Sequence, residues 1–176
     1  LARNCEGCEP EEKRLISSIL SMTPVSCAWD IGANIGMWSM FLSVLKPGIQ
    51  VCCFEPDSMN LKYLTMTKNT NKMDAWKIYP FALSNTDGKA IFHFDPTTGA
   101  TGSLEDKAEQ QWSEKYFHAE TTNGEIPIST IDSVISHGAP VPQFIKCDVE
   151  GHEHSVFQGG QKLLSEHHPI IFWEDS

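Results

Sequence analysis

The chain has 176 residues, 40% hydrophobic and 10% aromatic, which suits one globular domain with a sizeable core. Its formal charge of −10 and the lack of any Lys/Arg cluster argue against a nucleic-acid partner and against an acidic membrane surface. No apolar run nears the roughly 20 residues that span a bilayer and no secretory leader is visible; a cytoplasmic location is expected, with a trimmed N-terminus because the chain begins at Leu1.

Six cysteines are too few for a disulfide scaffold of this length. Cys5-x-x-Cys8 is half of a zinc or redox motif without a second half, and reads as solvent-facing thiols near a terminus. Cys27, Cys52, Cys53 and Cys147 fall in apolar strand patterns and read as small core residues. The first regular element is a helix over Glu9–Leu20, with Leu15, Ile16, Ile19 and Leu20 on one face. Residues 1–24 form an N-terminal helical segment, and 25–176 form the main domain.

Strand one, Ser26–Ile31, leads into Asp30-Ile31-Gly32-Ala33-Asn34-Ile35-Gly36, a tight glycine turn that opens a helix over Asn34–Leu45. A helix N-terminus presents unpaired N–H groups, so such a turn can cradle an anionic ligand group. Strand two, Ile49–Glu55, ends in an acid 23 positions beyond Gly32, near the spacing at which a strand-end carboxylate reaches the ribose hydroxyls of a nucleoside. A dinucleotide fingerprint needs G-x-G-x-x-G; here Asn34 and Met37 stand where the second and third glycines belong. That argues against an NAD-type oxidoreductase. Asp30 in front of the turn would repel a pyrophosphate and suits a cationic ligand end, such as the amino group of S-adenosylmethionine. The plain alternative is a structural turn whose glycines serve close packing.

Pro56 stops strand two, and Asp57 or Ser58 caps a helix running through Asn69. Trp76–Leu83 reads as strand three, followed by the turn Asn85-Thr86-Asp87-Gly88 and a strand through Phe94, antiparallel to a neighbour. Residues 95–124 are irregular, with a small-residue loop at Gly99, Thr101, Gly102 and Ser103 and a short helix over Gln110–His118; a loop this long in a compact domain is commonly functional or mobile. Trp112 and Tyr116 line either a substrate pocket or the buried face of that helix. Then follow an extended piece Ile126–Ser129, a helix Thr130–Ser136, a buried strand Gln143–Asp148, a helix His154–Glu166 and an apolar strand Pro169–Trp173. Alternating strands and helices predict an α/β fold: a Rossmann-like, mostly parallel sheet with helices on both faces.

These residues resemble the FkbM-like methyltransferases, a branch of the S-adenosylmethionine-dependent enzymes. The motifs that carry the likeness are Asp30–Gly36, Phe54-Glu55-Pro56, Ala82-Leu83-Ser84, Ser129-Thr130-Ile131-Asp132 and Phe144-Ile145-Lys146-Cys147-Asp148-Val149-Glu150-Gly151, in family order from about residue 25 to 174. The resemblance implies a class I methyltransferase sheet in residues 25–176. It also implies methyl transfer from S-adenosylmethionine to a hydroxyl of a small molecule, sugar or lipid. It carries the cofactor turn onto Asp30, Gly32, Asn34 and Gly36, the ribose contact onto Glu55, and a place near the adenine onto Ser84. Members usually continue past the last strand seen here. The expectation is therefore a truncated or minimal domain, or closure of the sheet edge by the 89–94 strand.

Ligands of open α/β sheets bind at the carboxyl ends of the strands. That rule gathers Asp30, Glu55, Ser84, Asp148, Glu150 and Glu174 at one rim. Methyl transfer needs an oriented nucleophile, and a hydroxyl benefits from a general base. The candidate catalytic residues are Asp148 and Glu150, with Lys146 orienting an oxygen. Each has a plain alternative: a helix-capping or cofactor-binding carboxylate, and a lysine pointing away. His152 and His154 with Asp148, Glu150, Glu174 and Asp175 could ligate a divalent cation on paper, but histidines at a helix start read as surface residues, and no metal is expected. A domain that binds the nucleoside without catalysis, as an interaction module, stays open beside the enzyme.

Overall fold

β1 (Cys27–Ile31), apolar except for Asp30 and buried at every position, occupies the middle of a five-stranded sheet. The fold is seen in a computed structural model that describes residues 10–94, 102–104 and 122–173. β2 (Gln50–Phe54) and β3 (Trp76–Tyr79) extend the sheet on one side, β7 (Phe144–Cys147) and β8 (Ile170–Trp173) on the other, giving the order β3-β2-β1-β7-β8 with every pairing parallel. This is the parallel sheet expected from the alternation of elements.

Parallel sheets need cover on both faces, and alternate side chains supply two separate apolar layers. Ala28, Val51, Cys53 and Phe144 point to one face, where Ile16 and Leu20 of α1 (Pro10–Met22), Trp38 and Leu42 of α2 (Met37–Leu45) and Leu64 of α3 (Ser58–Thr70) cover them. Trp29, Cys52, Phe54, Ile145 and Cys147 point to the other. There they meet Val134 of α4 (Ile131–Ser136), Val156 of α5 (Glu153–Gln158) and Leu163 of α6 (Gln161–His167). Cys27, Cys52, Cys53 and Cys147 are all free and buried, as core residues should be.

Four sequence expectations change. Trp76–Leu83 is not one strand: β3 stops at Tyr79, and β4 (Ala82–Leu83) leaves for a second sheet. Pro80 lacks the N–H that a continuing ladder requires. The strand near 89–94 does not close the edge of the main sheet. It is β5 (Gly88–Phe94), paired antiparallel with β6 (Thr122–Ser129) in the second sheet, whose order is β4-β6-β5. The helix expected over His154–Glu166 is two helices, α5 and α6, broken at Gly159-Gly160. A Cβ on Gly159 would fall on the Ser84 carbonyl oxygen, so the chain must be bare there. Asp132 then caps the new start by accepting from the N–H groups of Lys162 (2.9 Å) and Leu163 (3.0 Å). Finally, α2 starts at Met37 rather than Asn34, because Asn34 (φ 49°) and Gly36 (φ 92°) adopt left-handed backbone that no right-handed helix contains.

Asp57 caps α3 as expected, accepting from the N–H groups of Met59 and Asn60. Thr130 caps α4 in the same way through Ser133 N–H. No described helix is long and apolar enough to cross a membrane. Cys5, Cys8, Gly99, Thr101, Trp112, Tyr116, the helix expected over 110–118, Glu174 and Asp175 lie outside the described residues.

Candidate active site

The carboxyl ends of β1, β2 and β7 open onto a cleft whose empty space, its open mouth included, is about 630 Å³. Gly32, Asn34, Glu55, Asp148 and Glu150 line it, joined by Phe54, Pro56, Asn60, Leu83 and Val149. The second sheet supplies a further wall: Phe92 of β5 with Gly102 and Leu104.

Two strand ends meet tightly at the base. Gly32 has φ +74°, and a Cβ there would fall on the Asp148 carbonyl oxygen, so only glycine allows β1 and β7 to approach this closely. Asp148 N–H donates to Ile31 O at 3.1 Å across the same junction. Gly36 has a different job. It lies away from the cleft, where a Cβ would strike Leu64 and Trp76.

Glu55 follows β2 and is 5% exposed. One carboxylate oxygen accepts from Asn34 N–H at 2.8 Å, the other from Asp57 N–H at 2.9 Å. Burial nevertheless pushes the carboxyl up to about 7, against the pull of those two amides and of Asn60. The left-handed backbone of Asn34 is what aims its N–H at Glu55. The glycine turn and the strand-end acid are therefore one hydrogen-bonded unit.

Asp30 and Lys146 do not line the cleft. Both stand in the sheet beneath it as cross-strand partners of β1 and β7. Asp30 is fully buried; its Oδ2 accepts from Ser39 Oγ at 2.5 Å, and its Oδ1 lies 3.7 Å from Lys146 Nζ. Lys146 Nζ donates to Asp148 Oδ2 at 3.0 Å and to Gly32 O at 3.3 Å. Burial alone would pull the ammonium down; Asp30 and Asp148 together outweigh it and hold Lys146 above its ordinary range. Burial raises the Asp30 carboxyl despite Lys146 and Ser39.

The turn after β7 is held from several sides. Val149 N–H donates to Glu153 Oε1 at 2.9 Å, and Ser103 Oγ donates to the Glu150 carbonyl at 2.8 Å. Glu150 takes φ 54°, unusual for a residue with a side chain, and Gly151 follows at φ 90°. Ser84 lies behind the cleft wall, with its Oγ 2.9 Å from His152 Nε2. His152 itself lines the cleft, whereas His154 is exposed beside Gln158. The H-x-H step is thus split between two environments. Among the described residues no group of three or more His, Cys, Asp and Glu side chains is arranged to hold a metal ion.

Sequence reasoning did not foresee the second-sheet wall, since no local pattern announces that Phe92 and Leu104 fold over a distant strand end. The Asp30–Lys146 pairing did leave a signal: each is a charged residue inside an otherwise apolar strand, and such residues seldom stay buried without a partner.

A parallel α/β sheet with a glycine turn, a strand-end acid and a rim of carboxylates defines the class: a Rossmann-like methyltransferase fold. The Methyltransferase FkbM domain matches residues 30–176, and the chain belongs to that family. Hexuronic acid methyltransferase AglP of Haloferax volcanii is 30% identical over 147 residues, covering 81% of this chain and 53% of that protein. 2-O-methyltransferase NoeI of Sinorhizobium fredii is 27% identical over 169 residues, covering 88% of this chain and 64% of that protein. The chain therefore spans between half and two thirds of the length of these relatives. Among solved structures, Methyltransferase FkbM from Methylobacillus flagellatus superposes with a TM-score of 0.57 at 23% identity, covering 84% of this chain and 32% of that one. Precorrin-6y C5,15-methyltransferase from Geobacter metallireducens superposes with a TM-score of 0.51 at 12% identity, covering 93% and 61%. These two support the fold.

Proposed function

We propose that this chain transfers a methyl group from S-adenosylmethionine to a hydroxyl of a small, sugar-like acceptor. The observation that carries the reading is the Asn34–Glu55 unit on the cleft: a buried strand-end carboxylate, fixed by backbone N–H groups, beside the glycine turn. The cleft suits the nucleoside chemically. Glu55 would accept the ribose hydroxyls, and Phe54, Pro56 and Leu83 offer apolar walls to a flat base. The proposed cofactor-contact set is Gly32, Asn34 and Glu55, with Asp30, Gly36 and Ser84 supporting it from behind. S-adenosylmethionine supplies an electrophilic methyl group on a sulfonium.

The acceptor side is proposed at Asp148, Glu150 and His152, which line the same cleft as Phe92 and Leu104. Carboxyl-bearing and apolar residues lining one cleft suit a ring with hydroxyls on its edge and C–H groups on its face. The names of two relatives, a hexuronic acid methyltransferase and a 2-O-methyltransferase, support a sugar hydroxyl. In this reading Asp148 would be the general base: it would take the hydroxyl proton as the oxygen–carbon bond forms and the methyl–sulfur bond of the sulfonium breaks, leaving S-adenosylhomocysteine.

The test is calorimetric titration with S-adenosylhomocysteine, with NAD⁺ as control, followed by transfer of labelled methyl to a panel of monosaccharides and hexuronic acids. Binding of S-adenosylhomocysteine alone, with label in a sugar, is expected. Binding without transfer to any acceptor would favour a nucleoside-binding interaction module. Binding of neither ligand would refute the cofactor site.

A further inference from the structure

We propose that Asp30 and Lys146 are a buried positioning pair that ties the cofactor turn and the acceptor-side carboxylate into one unit. The proposal rests on the methyl-transfer reading of the cleft. Lys146 has three ammonium protons and three oxygens around it: Asp148 Oδ2 at 3.0 Å, Gly32 O at 3.3 Å and Asp30 Oδ1 at 3.7 Å. The first belongs to the acceptor side and the second to the cofactor turn. The third is sealed in the sheet and has no hydrogen-bond partner among the described residues, so its partner in charge is Lys146.

Stability is a weak reason for this arrangement. An ion pair 2% and 0% exposed gives up so much hydration that apolar side chains of the same volume commonly serve a core as well or better. What apolar side chains could not do is hold the Asp148 carboxylate and the Gly32 carbonyl at a set separation. Asp148 is part exposed on the cleft wall, and its hydrogen bond to the Lys146 ammonium restricts its rotamer. Asp30 holds the ammonium in turn, and Ser39 of α2 holds Asp30. A chain of contacts thus runs from the helix after the cofactor turn, through two strands, to the proposed base.

Lys146→Met alone leaves Asp30 as an uncompensated buried charge and is expected to lose stability. The deciding variant is D30N/K146M, which removes both charges, nearly preserves shape and is expected to melt close to wild type. Its turnover should fall about 30-fold or more, the scale of a small misplacement of reacting groups. The signature is coupling: Asp148→Asn should cost far less in D30N/K146M than in wild type, because contacting residues of one network are non-additive. A folded double variant that turns over normally, or an equal cost of Asp148→Asn in both backgrounds, would overturn the proposal. Amide hydrogen exchange over residues 30–34 and 146–150 gives a readout that needs no turnover. It should quicken in D30N/K146M, and unchanged exchange overturns the proposal even if wild type binds S-adenosylhomocysteine without transferring methyl. Wild type failing to transfer at all, with exchange quickened as expected, would instead fail the methyl-transfer reading.

Discussion

Replacing Glu55 by glutamine should change the pH dependence of stability in a calculable way. Burial raises this carboxyl from an ordinary 4.5 to about 7 in the folded chain. The folded state therefore holds the proton more tightly than the unfolded state. The stabilising contribution of that proton is complete below about pH 4.5 and is lost as pH rises through about 7. At about 1.4 kcal/mol per unit, the full shift corresponds to about 3 kcal/mol, of which about 2.5 kcal/mol falls between pH 5 and pH 8. A glutamine side chain cannot titrate, and its NH2 would face one of the two amides that now donate to the carboxylate, a fixed loss on the order of 1–3 kcal/mol. That loss is the same at both pH values, so it cancels in the difference. Urea unfolding of wild type and Glu55→Gln at pH 5 and pH 8 should show the variant gaining about 2.5 kcal/mol on wild type as pH rises. Parallel pH curves for the two proteins would refute the burial argument. In the proposed function the same variant weakens S-adenosylhomocysteine binding at pH 8 by about 1.5–3 kcal/mol, as for lost hydrogen bonds to a charged group. Wild-type affinity should decline as pH falls below about 7, since the ribose hydroxyls bond best to the ionised form.

Asp148→Asn should reduce turnover by about 10²–10⁴-fold while leaving S-adenosylhomocysteine affinity within a few-fold, because a general base acts in the transition state. Steady-state kinetics paired with calorimetry check this, and full turnover would remove Asp148 as base. Gly32→Ala should destabilise the fold by about 3 kcal/mol, combining left-handed strain with overpacking against the Asp148 carbonyl; the urea midpoint measures it. Asp57→Ala removes an N-cap that accepts from two α3 amides and should cost about 1 kcal/mol in the same experiment.

Much of the side of the cleft proposed for the cofactor was legible because it is local. The glycine turn and the acid that ends the next strand are short-range patterns, and β1 and β2 are adjacent both in sequence and in the sheet. The side proposed for the acceptor depends on longer connections. His152 meets Ser84, 68 positions away, and Ser103 meets Glu150, 47 positions away. Neither separation leaves a periodic trace in the chain.

By itself the sequence determined most of the strands and helices of the main sheet, which faces are apolar, and where the turn and the acid fall, because these follow from side-chain periodicity, glycine freedom and capping; the breaks at Pro80 and Gly159-Gly160 came from the fold. Tertiary structure decided which charged groups face the cleft. Asp30 is a rim residue in a reading by strand ends and Lys146 a neighbour that orients an oxygen or points away, yet the β1–β7 register sets them opposite each other beneath the rim. In a dry interior each is the best available partner for the other, and that choice exists only once strands 116 positions apart are side by side.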